Sequence, residues 1–158
     1  MRLDEVRVLA NYEYPTDLLD DLDAETGLLL FGAGFYGRND GIHLADAGLT
    51  CTVIDVDLDK MAAMKRVYPS SWTFEVCDVF DWIRRPVLPT FDVVSVDPQL
   101  AHMGISMDWR RLWAARARKL LVIGARTWRD GTPEIGGWEV GPEYRRNDTA
   151  KWCTWLRV

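Results

Sequence analysis

Gly32, Gly34 and Gly37 stand directly behind the apolar run LLLF (28–31), and theirs is the first spacing in the chain that can do chemistry. Glycines at a strand-to-helix turn let backbone approach a ligand closely, and the helix behind them offers free N–H groups to a polar or anionic ligand. Phe31 and Ala33 belong to the same turn and join the glycines as candidate ligand-lining residues. Asp55 follows Gly32 by 23 residues and ends a second apolar run, with Val56 beside it. A carboxylate there can accept hydrogen bonds from both hydroxyls of a ribose; Asp57 is its near competitor. Asp78, followed by Val79 and Phe80, ends a third run and can offer a carboxylate to an adenine amino group and apolar atoms to its ring. Asp97 and Pro98 end a fourth run, and His102 lies just beyond them in a loop placed to overhang a pocket, where a histidine can serve as a base.

These groups need a scaffold that brings distant residues to one edge. GLLLF (27–31), LTCTVIDVD (49–57), WTFEVCD (72–78), FDVVSVDP (91–98) and KLLVIGA (119–125) read as strands. Helical spacing falls between them at 38–47, 58–68, 79–85 and 109–119, and a short helix over 16–25 precedes the first strand. Gly48 suits a helix C-cap, and Pro69 stops the helix before it. Such alternation predicts βαβ units, a parallel sheet and helices on both faces. The alternation stops after residue 125, and WEVGPEYRR and AKWCTWLRV around RRNDTA predict an antiparallel hairpin at the sheet edge.

Composition narrows the class further. The chain has 158 residues, 48% of them hydrophobic, about the size of one domain, and no repeat, low-complexity tract or linker marks a boundary within residues 1–158. No apolar run approaches the roughly 18 residues of a membrane helix, and the acidic start MRLDEVRV does not read as a secretory signal, so a cytoplasmic protein without membrane attachment is expected. Cys51, Cys77 and Cys153 are too few and too widely spaced for a disulfide framework or a CxxC zinc site, and no metal is expected. Residues 1–82 carry a net charge of −10 and residues 83–158 a net +5, so a local basic patch is compatible with an acidic whole.

NAD, FAD and S-adenosylmethionine all fit the glycine turn and Asp55. With the third and fourth strand ends added, the sequence resembles the class I S-adenosylmethionine-dependent methyltransferases over about residues 26–158. The resemblance implies a Rossmann-like α/β fold with a mostly parallel seven-stranded sheet in the order 3-2-1-4-5-7-6, its seventh strand antiparallel. It also implies that Gly32 and Gly34 line the methionine part of S-adenosylmethionine, that Asp55 holds the ribose, and that Asp78 and Val79 hold the adenine. Asp97 and Pro98 occupy the position of the family's Asp/Asn-Pro-Pro motif near the transferred methyl, followed here by Gln99 and Leu100 rather than a second proline and an aromatic residue. The alternatives are an NAD- or FAD-binding oxidoreductase, which the GAGFYG spacing suits, and a non-catalytic binding protein on the same fold.

The acceptor stays open between a small molecule and a nucleic acid. Six of the eight tryptophans, at 109, 113, 128, 138, 152 and 155, lie among arginines of the later half, a pattern that suits either base stacking or helix and hairpin packing. Tyr12 and Tyr14 are read as anchors before the helix over 16–25 or as a lid, and His43 as part of the apolar stripe of the helix over 38–47, with Leu44 and Ala47. A tryptophan-rich edge hairpin would also offer a homodimer its pairing surface.

Overall fold

The computed structural model describes residues 2–32, 37–97, 107–125, 131–148 and 150–158. Among these residues eight strands form one sheet: β1 (Thr26–Leu30), β2 (Thr50–Asp55), β3 (Thr73–Val76), β4 (Phe91–Val96), β5 (Ala117–Ala125), β6 (Trp138–Val140), β7 (Tyr144–Arg145) and β8 (Lys151–Arg157). The helices are α1 (Leu3–Leu9), α2 (Thr16–Asp21), α3 (Gly37–Asp46), α4 (Leu58–Val67), α5 (Val79–Ile83) and α6 (Met107–Ala114). Strand order is β3-β2-β1-β4-β5-β8-β6, with β7 pairing β8. The first five strands are parallel, and β8 runs antiparallel to β5, β6 and β7. This is the expected order with one strand more than the seven expected: the two-residue β7, too short to register in a sequence pattern.

Helices cover both faces, which is why β4 is buried along its whole length and reads as an unbroken apolar run. Alternation along each strand sends Leu28, Leu30, Val94, Val96 and Trp155 into a core with Trp82 of α5 and Trp113 of α6. Leu29, Val53, Val93, Val122 and Trp152 enter a second core with Val6 of α1, Leu19 of α2, Ile42 and Leu44 of α3, and Met61 and Met64 of α4. The tryptophans of the later half are thus mostly interior: Trp113, Trp152 and Trp155 are fully buried and Trp138 nearly so, while Trp128 lies outside the described residues. Cys51 and Cys153 are buried free thiols, and Cys77 is half-buried.

Caps set the helix ends. Gly48 sits at φ +81° behind α3, and the Leu49 N–H returns to the Leu44 carbonyl at 3.0 Å, closing the last turn as a left-handed glycine cap does. Asp57 caps α4 by accepting from the Lys60 N–H at 3.0 Å.

At the amino-terminal edge of the sheet, buried Asp92 accepts from the Glu25 N–H at 2.8 Å and from Arg118 Nε at 3.1 Å, locking β1, β4 and β5 together. Burial works to raise the Asp92 pKa, but these donors outweigh it and hold the carboxyl below its ordinary value. A depressed pKa contributes stability above the unfolded value of about 3.9 and loses it as pH falls through the folded value. Asp92→Ala is therefore expected to cost about 1–3 kcal/mol in urea unfolding at pH 7, with the gap to wild type closing under acid.

Candidate functional site

Backbone hydrogen bonds lace the carboxyl ends of four adjacent strands into one rim. The Cys77 N–H reaches the Asp55 carbonyl at 2.9 Å, Phe31 N–H reaches Ile54 at 2.9 Å, and Asp97 N–H reaches Leu30 at 3.2 Å. The carboxyl ends of β3, β2, β1 and β4 are thereby set side by side in that order, with Asp78, Asp55, Phe31–Gly32 and Asp97 along a single edge. Open α/β sheets bind ligands at this edge.

The individual placements differ in kind. Asp55 is 6% exposed, and its Oδ1 accepts from the Val56 N–H at 2.6 Å and the Asp57 N–H at 3.2 Å, which fixes the carboxylate at the strand end. Val56 itself is exposed. Asp57 is committed to the α4 cap, so the buried carboxylate of the two is Asp55. Asp78 is exposed, and its Oδ1 accepts from the N–H groups of Phe80 (2.8 Å) and Asp81 (3.2 Å) as the N-cap of α5. Val79 packs into the core beneath the sheet. Asp97 is 1% exposed on the α3 side of β4, in line with Ser95. Ala33, Gly34, Pro98 and His102 lie outside the described residues.

Two features at the rim carried no clear signal in the sequence. Phe31 takes a left-handed backbone, φ +57°, costly for a residue with a Cβ, and is held there by its N–H bond to Ile54. Its ring meets Phe80 edge-on at 5.6 Å, and Phe80 meets Trp109 of α6 at 4.4 Å, with the Arg84 guanidinium 4.8 Å above Trp109. The three rings form an apolar ladder from the β1 turn across the β3 end to α6.

Behind Asp97 lies a buried polar cluster. The Tyr14 and Ser95 hydroxyls hydrogen-bond at 2.7 Å, pinning the segment before α2 against β4. Two residues earlier, the Tyr12 hydroxyl donates to Asp40 of α3. Arg146, in the turn between β7 and β8, reaches Asp40 at 3.2 Å with its guanidinium over the rings of Tyr12 (4.9 Å) and Trp152 (4.5 Å). Tyr12 and Tyr14 are thus anchors. His43 stacks on Tyr14 at 4.8 Å, and burial pushes its pKa down to about 4, so the ring is neutral at pH 7. Among the described residues no cluster of His, Cys, Asp or Glu is arranged to hold a metal ion, and no helix is long and apolar enough to cross a membrane.

No protein-family model and no curated protein matches the chain. Solved structures do. The candidate methyltransferase yhhF from Escherichia coli superposes with a TM-score of 0.67 at 15% identity, over 98% of this chain and 86% of that one. The O-methyltransferase TomG from Streptomyces achromogenes, involved in tomaymycin synthesis and solved with S-adenosylmethionine, gives 0.65 at 13% identity over 99% and 88%. The 16S rRNA methylase ArmA gives 0.58 at 12% identity over 99% and 86%. The fold is that of the class I S-adenosylmethionine-dependent methyltransferases, Rossmann-like and mostly parallel with antiparallel C-terminal strands.

Proposed function

We propose that the protein is an S-adenosylmethionine-dependent methyltransferase, supported above all by the row of Asp78, Asp55, Phe31–Gly32 and Asp97 along one sheet edge. In this reading buried Asp55 accepts the ribose hydroxyls and Gly32 leads the turn that passes the methionine portion. The Phe31–Phe80 end of the aromatic ladder meets the adenine ring. Asp78 turns one oxygen to the α5 cap, and an adenine amino group would be met by the other. When bound, the cofactor supplies an electrophilic methyl on a sulfonium; the chain's task is to hold the acceptor in line with that methyl and exclude water. Asp97, with Pro98 and His102 after it, belongs to the acceptor side. The similar structures include an O-methyltransferase involved in tomaymycin synthesis and a 16S rRNA methylase. With Trp113, Trp152 and Trp155 inside, a stacking platform of tryptophans for a nucleic acid has lost its main members, which favours a small molecule.

Calorimetric titration with S-adenosylhomocysteine tests the assignment, and no heat of binding would discard it in favour of a nicotinamide or flavin site, checked by NADH titration and flavin absorbance. The ring ladder supplies an optical readout. S-adenosylhomocysteine is expected to change tryptophan emission through Phe80 and Trp109, and Trp109→Phe should remove most of that change while leaving affinity within a few-fold, because Trp109 stands one ring behind the ligand.

A further inference from the structure

The cluster around Asp40 brings together, out of water, two carboxyl groups, those of Asp40 and Asp97, and the Arg146 guanidinium. Asp40 and Arg146 are 0% and 7% exposed, and Asp97 is 1% exposed. The register places these groups together: Tyr14 bonds Ser95, and two residues along each chain direction Tyr12 bonds Asp40 while Asp97 follows Ser95. Asp97 is near enough for its charge to act on Asp40. Among the described residues, the other titratable groups facing Asp40 are Tyr12 and Tyr14 from the segment before α2, Tyr68 from the end of α4 and His43 from α3 itself. Each tyrosine is held neutral, mainly by burial, and His43 is neutral as well. Out of water an uncompensated charge is costly and is relieved by taking up a proton, and the charge of Asp97 adds to that cost at Asp40.

The Asp40 carboxyl has a place for that proton. Oδ1 accepts from both Tyr12 and Arg146, whereas Oδ2 is buried and has no hydrogen-bond partner among the described residues. An ionised carboxylate would leave a buried oxygen that shares the negative charge without a donor; a neutral acid carries no charge there. We infer that Asp40 is a positioning residue: it carries a proton at Oδ2 near neutral pH and so spares Asp97 a second buried negative charge beside it. Burial, reinforced by Asp97 and opposed by Arg146 and Tyr12, raises the affinity of Asp40 for its proton in the same direction. The role given to Asp97 rests on the methyltransferase reading; the proton on Asp40 does not.

Infrared spectroscopy of the full chain tests this directly. Wild type at neutral pH is expected to show a protonated-carboxyl C=O band that is missing from Asp40→Asn and displaced in Tyr12→Phe, where the hydrogen bond to Oδ1 is gone. The pH dependence of unfolding gives a second readout. The folded protein keeps a proton that the unfolded chain releases near pH 3.9, so this contribution to stability is complete below that value and is lost as pH rises towards the folded pKa. The wild-type unfolding constant should therefore rise about tenfold per pH unit above about pH 4 relative to Asp40→Asn. Absence of the band in wild type, or equal pH slopes in wild type and a folded Asp40→Asn, overturns the inference. Should Asp40→Asn not fold, a band that stays in place in Tyr12→Phe overturns it too. S-adenosylhomocysteine calorimetry on the same samples keeps the two proposals apart: binding without the band removes the proton and leaves the methyltransferase standing, and the band without binding does the reverse.

Discussion

Asp55→Ala is expected to weaken S-adenosylhomocysteine binding by a factor on the order of 10²–10⁴ in calorimetric titration. A hydrogen bond to a charged acceptor contributes about 1.5–3 kcal/mol, and the ribose brings two hydroxyls to one carboxylate. Asp55 is ready for this because Val56 and Asp57 N–H groups hold its Oδ1 in place before any ligand arrives. The same bonds mean that alanine frees two backbone donors, so the variant should also melt somewhat lower than wild type. Asp55→Asn separates the effects: it keeps an oxygen for the backbone and loses the charge, and its affinity should fall between wild type and alanine. Asp57→Ala completes the comparison. It removes the α4 cap, costs about 1 kcal/mol of stability and should leave affinity unchanged. If Asp57→Ala lost the cofactor and Asp55→Ala kept it, the ribose would belong to the half-buried capping residue and the rim would have to be redrawn.

That comparison also marks where sequence reasoning reached and where it stopped. Asp55 and Asp57 both follow the same apolar run, and only the turn geometry shows one carboxylate buried at the strand end and the other spent on a helix cap. The strands themselves were legible because two covered faces make each one a nearly continuous apolar run, as in β4. The antiparallel ending was legible because the helical spacing stops after residue 125 while apolar runs continue. Helix α1 was not: Arg2 gives it no side-chain cap, and with Val6 buried but Val8 and Leu9 exposed its apolar residues mark no clean stripe. The helix expected over 16–25 is shorter, Thr16–Asp21, and starts behind Pro15 without a side-chain cap. The Asp40 cluster had no local signature at all. It joins residues 28 and 106 positions apart, and a pattern read over one or two turns of chain cannot bring Tyr12, Asp40 and Arg146 together.

Gly32→Ala is expected to destabilise the fold by about 1–3 kcal/mol and to weaken cofactor binding with it, for a reason separate from the freedom usually credited to glycine at such turns. A Cβ at this position would stand 2.5 Å from Val53 Cγ1 and 2.9 Å from Leu29 Cγ. Both side chains are fully buried on neighbouring central strands, so neither yields cheaply. The turn would have to lift, and Phe31 just before it is already in a left-handed conformation that depends on its N–H bond to the Ile54 carbonyl of β2. Lifting stretches that bond and moves Phe31 off Phe80, so the change reaches the ring ladder as well as the turn. A double-mutant cycle with Val53→Ala isolates the contact. Val53→Ala alone should cost stability by leaving a cavity, but the pair should cost less than the sum of the singles by about 0.5–3 kcal/mol, since alanine at 32 fills part of the space vacated at 53. The rescue stays incomplete because Leu29 still crowds the new methyl. Additive losses in the cycle, measured by urea unfolding, would show that Gly32 matters through its backbone conformation and not through the packing beneath it.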